Sequence, residues 1–152
     1  MRAVIQRVSG ASVVVNGGAP RTIGPGLVIL LGVKDTDTLE LVPRLAEKCA
    51  GLRIFSDEEG KLNRSAKELG LSALVVSNFT LYGSTKKGMR PSFIAAAKKP
   101  LSVDAYELFL REMERQGLKE VLHGEFGADM QLTLTNDGPV TILMDTDEWK
   151  HE

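Results

Sequence analysis

The pattern of apolar and polar residues in the first third of the chain predicts a series of strands. Residues 2–8 are predicted to form a strand, with Ala3, Ile5 and Arg7 on one face and the residues between and after them on the other. Residues 11–15 are predicted to form a second strand after a break at 9–10. Residues 27–33 contain no polar side chain, which is typical of a strand that is buried on both faces. A short strand over residues 21–23 is predicted between two glycine-rich turns. The amino-terminal part of the chain is therefore predicted to be mostly sheet.

Two longer stretches carry apolar residues at the spacing of a helix. The first extends from about residue 37 to residue 51, and Pro43 near its start means that this helix either begins late or is distorted. The second begins after Pro100, with Ser102 as its predicted cap, and ends near Gly117. A further short helix is predicted over residues 92–99.

Strand patterns return in the second half of the chain, where residues 72–82 are predicted to form one strand. Asp-Gly is a strong hairpin signal, so Asn136–Pro139 is predicted to be a tight turn between the last two strands. The other strands are predicted at residues 52–55, 121–126, 130–136 and 140–145. Many strands with short turns and few helices predict an α+β fold, a single compact domain with a barrel-like curved sheet and two or three outer helices. The domain is predicted to span residues 1–145, and residues 146–152 are predicted to be a loose polar tail.

The composition narrows the class of protein. The chain has 152 residues, of which 43% are hydrophobic and 26% charged, and this excludes a disordered chain and fits one domain. Its formal net charge of −1 excludes capture of nucleic acid by the charge of the whole protein. A single cysteine excludes a disulfide framework, and one cysteine with two histidines argues against a zinc site. The common phosphate-binding glycine motifs are also absent. We therefore expect no metal and no cofactor. No apolar run reaches the length of a membrane span and no signal-peptide pattern is present, so we expect a cytoplasmic protein.

The stretch from residue 84 to residue 99 is strongly basic. It has no acidic residue and contains Lys86, Lys87, Arg90, Lys98 and Lys99. The residue types leave two interpretations open, a solvated loop or a patch that steers a phosphate backbone. A few phosphate contacts would give a modest, salt-sensitive affinity, which suits a substrate that must be released.

The residue types show no familiar pairing of a nucleophile with a base. His123 lies in a predicted strand, where a lone histidine is more often structural than catalytic, and His151 lies in the predicted tail. Cys49 lies on the apolar face of a predicted helix, where a buried and unreactive thiol is the usual case. The predicted hairpin is unusual because Pro139 removes an amide donor at the start of the last strand. Its bond to Gly138 could be cis, but composition does not decide this.

Several segments, in their order and spacing, resemble the D-aminoacyl-tRNA deacylase family over almost the whole chain. The two signature segments are Ser77–Tyr82 and Asn136–Thr141. The other matching segments are Met1–Val8, Ile23–Leu27, Leu52–Phe55, Lys87–Phe93 and Gly124–Gln131. One position departs from the family, whose first signature usually has the order Ser-Gln-Phe-Thr-Leu-Tyr. Here the second position is Asn78, one methylene shorter than glutamine.

The resemblance implies an enzyme that hydrolyses the ester between an aminoacyl group and the ribose of the 3′-terminal adenosine of tRNA. It implies a homodimer with its active sites at the subunit interface, and the 3′ end of aminoacyl-tRNA as the binding partner. The Gly138–Pro139 bond is implied to be cis and to enter the active site of the opposite subunit, where its carbonyl oxygens face the substrate α-amino group. Arg7 matches a family arginine, which we expect to hold this motif by bonding its carbonyl groups.

The catalytic residues implied by the resemblance are Ser77, Asn78, Phe79 and Thr80. Backbone amides of this segment could form an oxyanion site, which suits an ester that is already activated. Thr80 could act as a nucleophile, but no histidine in the motif would activate it. We therefore prefer a positioning role for Thr80, with water as the attacking group, assisted by the ribose hydroxyl of the substrate. The candidate tRNA contacts are Lys86, Lys87 and Arg90.

The implied site also predicts a substrate preference. A rigid motif that fills the space of an L side chain would reject L-aminoacyl esters by collision. Glycine has no side chain, so we expect activity on glycyl-tRNA, including tRNA for alanine that is mischarged with glycine. Two alternatives stay open. The first is a catalytically weakened tRNA-binding module of the same fold, because Asn78 departs from the glutamine that is usual in the family. The second is a different small-ester hydrolase that uses Thr80 covalently.

Overall fold

The computed structural model describes residues 1–151, with side chains through Trp149, and Glu152 lies outside the described residues. The strands are β1 (Arg2–Val15), β2 (Arg21–Ile23), β3 (Gly26–Gly32), β4 (Phe55–Ser56), β5 (Leu62–Arg64), β6 (Ser72–Ser77), β7 (Val121–His123) and β8 (Met130–Asp145). The α-helices are α1 (Val42–Gly51), α2 (Ala66–Leu69) and α3 (Leu101–Glu114). Short 3-10 helices cover Leu39–Leu41, Phe79–Tyr82 and Thr146–His151.

One mixed sheet of six strands carries most of the described fold. Its order is β2-β1-β3-β6-β7, and β8 pairs with the other edge of β1. β1 runs antiparallel to its three neighbours, whereas β3, β6 and β7 run parallel to one another. The sheet curls until β2 approaches β7, where Arg21 Nη1 donates to the His123 carbonyl oxygen over 2.7 Å. The α+β fold with a barrel-like sheet is therefore confirmed.

An irregularity in β1 turns its side chains over halfway along the strand. The register against β8 shifts twice between residues 6 and 10. Ile5 belongs to the core cluster beneath the helices, whereas Val13, which has the same parity, belongs to the cluster on the opposite face. A regular strand keeps one parity on one face, so this bulge reverses the two faces of β1. The prediction of two separate strands was wrong, because the break at 9–10 is absorbed within one strand of 14 residues.

Helices α1 and α3 cover one face of the sheet. Leu45 of α1 and Phe109 and Met113 of α3 are completely buried there. α1 begins at Val42, so Pro43 lies in its first turn, where the missing amide hydrogen costs no helical bond. Of the two alternatives for this helix, the late start is correct. Burial of β3 on both faces also agrees with its lack of polar residues.

The last two predicted strands are one continuous strand, β8. It pairs with β1 from Met130 to Asp145, so the predicted hairpin at Asn136–Pro139 was wrong. This segment lies instead within β8, opposite the register shift in β1. The local Asp-Gly signal was outweighed by pairing with a strand that is distant in sequence.

Three further predictions of local structure were wrong. β6 ends at Ser77, and the chain as far as Tyr82 is a 3-10 helix rather than a strand. The segment 92–99 is not helical, because its backbone groups bond to the chain that follows β3. α3 begins at Leu101, so Ser102 lies inside the helix and does not cap it.

The carboxyl-terminal segment is packed against the rest of the chain. Thr146–His151 form a 3-10 helix, and the Thr146 hydroxyl accepts a hydrogen bond of 2.6 Å from the Met1 ammonium. This ammonium also lies 2.7 Å from the buried carboxylate of Asp37. The Trp149 ring packs against the core cluster beneath the helices. The expectation of a loose tail was therefore wrong for its described part, because the segment supplies a partner to a buried charge.

We predict that Gly26→Ala destabilises the fold, whereas Gly24→Ala leaves it nearly unchanged. A Cβ on Gly26 would lie 1.9 Å from the Ser72 carbonyl oxygen, where β3 and β6 approach closely, and a backbone atom cannot move away as the end of a side chain can. A Cβ on Gly24 would meet nothing within 4 Å. In urea denaturation the free energy of unfolding should fall by about 3 kcal/mol for Gly26→Ala and by less than about 0.5 kcal/mol for the control. Equal effects would contradict the close approach of these strands.

Candidate active site

The first signature segment lies where β6 ends at the surface. The Asn78 amide donates to the Leu31 carbonyl oxygen over 2.8 Å, which ties the residue after Ser77 to β3. The chain then turns into the 3-10 helix Phe79–Tyr82, whose first two residues are exposed. Phe79 exposes 56% of its surface although it is large and apolar. The segment therefore presents an aromatic ring and a hydroxyl to solvent.

Two side chains of this segment are bonded to each other. The Thr80 hydroxyl donates to the side-chain carbonyl oxygen of Asn78, so its proton is engaged and its oxygen remains an acceptor. A hydroxyl that donates to an amide oxygen has no base as its partner, which argues against Thr80 as a nucleophile. The amides of Phe79 and Thr80 begin the 3-10 helix and have no acceptor within it, whereas the Asn78 amide is bonded to β3. Of the backbone amides after Ser77 in this segment, those of Phe79 and Thr80 therefore remain as possible donors to an oxyanion.

The basic loop is anchored beside this segment. Ser84 and Ser92 exchange two backbone hydrogen bonds, of 2.7 and 2.9 Å, which close residues 85–91 into a loop. The Phe93 ring meets the Phe79 ring edge to face, with 5.2 Å between their centres. The three predicted tRNA contacts are all exposed on this loop: Lys86, Lys87 and Arg90. The contact made by Phe93 was not predicted, although the residue lies in one of the segments that resemble the family.

The second signature segment projects from β8. The Gly138–Pro139 peptide bond is cis, and both residues are exposed. Gly138 has a φ of +134°, which residues with side chains rarely adopt. A Cβ there would lie 2.8 Å from the Val140 side chain, so the position requires glycine.

Arg7 holds this motif from the neighbouring strand. Its Nε donates to the Asp137 carbonyl oxygen over 2.9 Å, and its Nη1 donates to the Ile54 carbonyl oxygen over 2.9 Å. The Arg7 side chain is only 13% exposed. The expected contact between Arg7 and the motif is present, at Asp137 rather than at Gly138 or Pro139, and its functional role stays a prediction. The part played by Ile54 could not be predicted, because a backbone carbonyl group leaves no signal in residue type.

Asn136 closes the motif from within its own strand. Its side-chain oxygen accepts from the Val140 amide over 2.9 Å, and its side-chain nitrogen donates to the Thr141 hydroxyl over 2.9 Å. Asparagine often bonds backbone groups a few residues along the chain in this way. Its role was not predicted, although the residue begins the second signature segment.

Arg2 connects the ends of the two strands that carry the signatures. Its Nη1 donates to the Leu81 carbonyl oxygen over 2.9 Å, and its Nε donates to the Asp145 carboxylate over 3.0 Å. The guanidinium carbon lies 4.6 Å from the centre of the Tyr82 ring. Among the described residues, the Tyr82 hydroxyl is the one buried side-chain polar atom without a hydrogen-bond partner, and burial raises its pKa.

The two signature segments do not meet within one chain. β1 and β3 lie between β8 and β6, so roughly 14 Å of sheet separates the segments at the usual strand spacing. The register places Ser77 at the level of Ala3 of β1. Gly138 lies at the level of Arg7, roughly 13 Å farther along the same strand. Within one chain the two signature segments therefore lie well apart.

The described residues contain neither a candidate metal site nor a candidate membrane helix. Among the side chains described through Trp149, no group of three or more histidine, cysteine or acidic residues is arranged to hold a metal ion. In the same range, no helix has the length and apolar character that a membrane span requires.

The curled sheet and the two signature segments define a hydrolase of the deacylase class. Residues 4–145 match the family described as D-Tyr-tRNA(Tyr) deacylase, and the chain belongs to this family. The resemblance noted in the sequence and the expectation of an enzyme that hydrolyses esters are both confirmed.

Two curated relatives carry the name of this family, and two solved structures share the fold. A D-aminoacyl-tRNA deacylase of Akkermansia muciniphila is 54% identical over 96% of this chain and 97% of the relative. A D-aminoacyl-tRNA deacylase of Bacteroides thetaiotaomicron is 51% identical with the same coverage. A solved structure described as c-Myc DNA Unwinding Element Binding Protein superimposes with a TM-score of 0.88 at 37% identity, over 95% of this chain and 98% of the other. A probable eukaryotic D-amino acid tRNA deacylase has a TM-score of 0.83 over 94% and 97% of the two chains, but at 18% identity it bears on the fold alone.

Neither of the other two candidate reactive groups is placed for nucleophilic chemistry. Cys49 is completely buried on α1, and desolvation raises the pKa of its thiol to about 12. The His123 Nδ1 atom lies 2.6 Å from the Gly124 carbonyl oxygen, which gives this ring nitrogen a structural partner. Both observations agree with the structural interpretation of these residues.

We predict that the native protein does not react with the thiol reagent DTNB at pH 8. With its pKa raised to about 12, roughly one Cys49 thiol in ten thousand would be ionised at that pH, and burial also blocks access. Labelling followed by absorbance should be at least about 1000-fold slower than for the protein unfolded in guanidinium chloride. Because burial raises the pKa, lowering the pH reduces reactivity further. Rapid labelling of the native protein would contradict the burial of this thiol.

Proposed function

We propose that this protein hydrolyses the ester that joins a D-amino acid to the 3′-terminal ribose of tRNA. The family and two relatives named D-aminoacyl-tRNA deacylases, at 54% and 51% identity over nearly their whole length, support this substrate. The observation that carries the proposal is the presence of two exposed features in one chain. These are the start of the 3-10 helix at Phe79 and Thr80, and the Gly138–Pro139 motif that Arg7 supports.

The functional unit in this proposal is a homodimer in which the Gly138–Pro139 motif of one copy enters the site of the other. The separation of the two signature segments within one chain supports this arrangement. Within the described chain β8 pairs only with β1, so its outer edge is open, and Leu143 on it is 64% exposed. Open strand edges and exposed apolar side chains are features that a second chain can cover.

The proposed reaction needs no protein nucleophile. Water attacks the ester carbonyl carbon, and the amides of Phe79 and Thr80 donate to the oxyanion that forms; one such donor contributes about 100- to 1000-fold to the rate. The bond between the carbonyl carbon and the ribose oxygen then breaks. The proton lost by water passes to that ribose oxygen, with the neighbouring ribose hydroxyl as the relay, and free tRNA and amino acid leave.

Thr80 acts as a positioning residue in this scheme. Its hydroxyl donates to Asn78 and retains lone pairs that can accept from the substrate or from the attacking water. Ser77 and Asn78 fix the backbone that presents the two amides, since Ser77 ends β6 and the Asn78 amide is tied to β3.

Selection against L-amino acids follows from the proposed dimer. Arg7 occupies the Asp137 carbonyl oxygen, so the carbonyl oxygens of Gly138 and Pro139 are the candidates to receive the substrate α-amino group. With the amino group held there, an L side chain would point at the motif, whereas a D side chain would point away from it. Glycine passes this test, so we propose glycyl-tRNA as a second substrate, including tRNA for alanine mischarged with glycine. The exposed cations Lys86, Lys87 and Arg90 are proposed to contact the tRNA backbone.

Single-turnover release of D-tyrosine, L-tyrosine and glycine from charged tRNA tests the proposal. We expect rapid release of D-tyrosine and glycine while L-tyrosyl-tRNA stays intact. Release of D-tyrosine without glycine would overturn the sieve that excludes L side chains but leave the deacylase activity in place. If a folded protein that still binds tRNA releases none of the three amino acids, the weakened tRNA-binding module would be favoured. The shorter side chain of Asn78 would then account for the lost activity.

We predict that Arg7→Lys lowers kcat/KM for D-tyrosyl-tRNA by about 100-fold, because lysine cannot hold two carbonyl oxygens in the geometry of a guanidinium group and small displacements in a site are costly. Arg21→Lys is the matched control, since Arg21 also donates to a carbonyl oxygen and pairs with a carboxylate, but on β2. The control should lose less than about threefold. Release of L-tyrosine should also rise in Arg7→Lys, which loss of overall stability would not produce. Equal kinetics for both variants at unchanged Tm would contradict the role of Arg7.

A further inference from the structure

A second basic region lies in a cleft that the proposed reaction does not use. The cleft is formed by α1, the chain that follows it, α2 and the end of β8, and has a volume of about 600 Å³. Its charged lining residues are Arg44, Glu47, Lys48, Arg53 and Lys67, and Met144 of β8 forms part of its wall. Four cations and one carboxylate thus share one concave surface, in a protein whose formal net charge is −1.

The cations of this cleft are held at its surface by different means. Arg44 and Lys48, one helical turn apart, both lie over the Trp149 ring, at 4.5 and 5.5 Å from its centre. Arg53 donates its Nε to the Asn63 carbonyl oxygen over 3.0 Å, a bond that orients the guanidinium group without neutralising it. Lys67, on α2, faces the same cleft.

Glu68, the acidic residue that follows Lys67 in the chain, is already paired outside the cleft lining. Both residues lie on α2, and Glu68 is paired with Arg64 at 2.5 Å. The hydrogen bond from Arg64 is the largest of the effects that lower the pKa of the Glu68 carboxyl group. The positive charges of Arg64 and Arg53 lower this pKa further. The carboxylate therefore already has a cation of its own.

The cleft lies next to the Gly138–Pro139 motif. Arg53 directly precedes Ile54, and the Ile54 carbonyl oxygen accepts from the same Arg7 that holds Asp137. One guanidinium group therefore links the backbone at the edge of the cleft to the backbone of the motif. In the proposed dimer the motif reaches the aminoacyl end of the substrate, so the cleft lies beside the path of the nucleotides that precede that end.

We propose that this cleft binds the phosphodiester backbone of the acceptor arm of the RNA substrate. The inference rests on the proposed function and adds a contact surface distinct from the loop that carries Lys86, Lys87 and Arg90. Phosphate contacts position a nucleic acid without reading its sequence, so the cleft would add affinity and orientation rather than sequence specificity. Arg53 and Lys67 carry the contact, and Arg44 and Lys48 extend it along α1.

Steady-state kinetics of Arg53→Gln/Lys67→Gln test this surface. The matched control is Lys61→Gln/Arg115→Gln, which also removes two positive charges, from residues about three-quarters exposed and paired with neighbouring carboxylates outside the cleft. For D-tyrosyl-tRNA we expect the cleft variant to raise KM about tenfold in about 0.1 M salt and to reduce the slope of log affinity against log salt by about 1.5, with kcat unchanged. Hydrolysis of 3′-O-(D-tyrosyl)adenosine, which has no phosphate, should equal that of the wild type. The charge-preserving pair Arg53→Lys/Lys67→Arg should retain most of the wild-type KM.

The outcomes separate this proposal from the function on which it rests. Failure of the wild type to hydrolyse either ester would overturn the proposed function, and binding of uncharged tRNA by the same variants would still test the cleft. A cleft variant with the KM and salt slope of the wild type, or a control that loses as much, would overturn the cleft proposal while hydrolysis stands. A cleft variant that becomes monomeric in sedimentation while the control stays dimeric would also overturn it, because the cleft would then be an interface between copies. Equal Tm values for all variants exclude a general loss of structure.

Discussion

The pairing of β1 with three other strands determines where every functional group lies. One edge of β1 pairs with β3 and then with β2, and the other edge pairs with β8 over nearly its full length. This separates β6, and the 3-10 helix after it, from the motif on β8 by the two strands β1 and β3. The distance between the signature segments is thus a property of the sheet, since neither segment can move toward the other without breaking ladders of backbone hydrogen bonds.

The register shift in β1 makes room for the second signature segment. Because the shift lies opposite Asn136–Pro139, β8 can depart from regular pairing there without ending. Two polar side chains then stabilise the departure, Arg7 from β1 and Asn136 from β8 itself. The motif is therefore exposed yet supported on both sides, the combination that its proposed role in another subunit would require.

The predictions from sequence succeeded where local pattern and tertiary environment agree. β3 has no polar residue and is buried on both faces, and Pro43 correctly indicated a late start of α1. They failed where distant partners decide. The hairpin signal at Asp137 and Gly138 was overridden by pairing with β1. β6 stops at Ser77 because the chain turns there into the 3-10 helix Phe79–Tyr82 instead of continuing along β3. For the site, the candidate residues and the role of Arg7 came from the family resemblance, whereas Asn136 and the Ile54 carbonyl group act through backbone geometry that residue types do not reveal.

The open edge of β8 also bears on solubility. A strand of 16 residues with unpaired backbone groups on one side is a template for the addition of further strands, and so for fibrous assembly. Pro139 lies near the middle of that edge and has no amide hydrogen, so it interrupts any ladder that another chain could extend along β8. In a free chain, the residue proposed to face the substrate would thus also limit the growth of β-aggregates along this edge. Under the proposed function, replacement of this proline would therefore alter the substrate site and the open strand edge together.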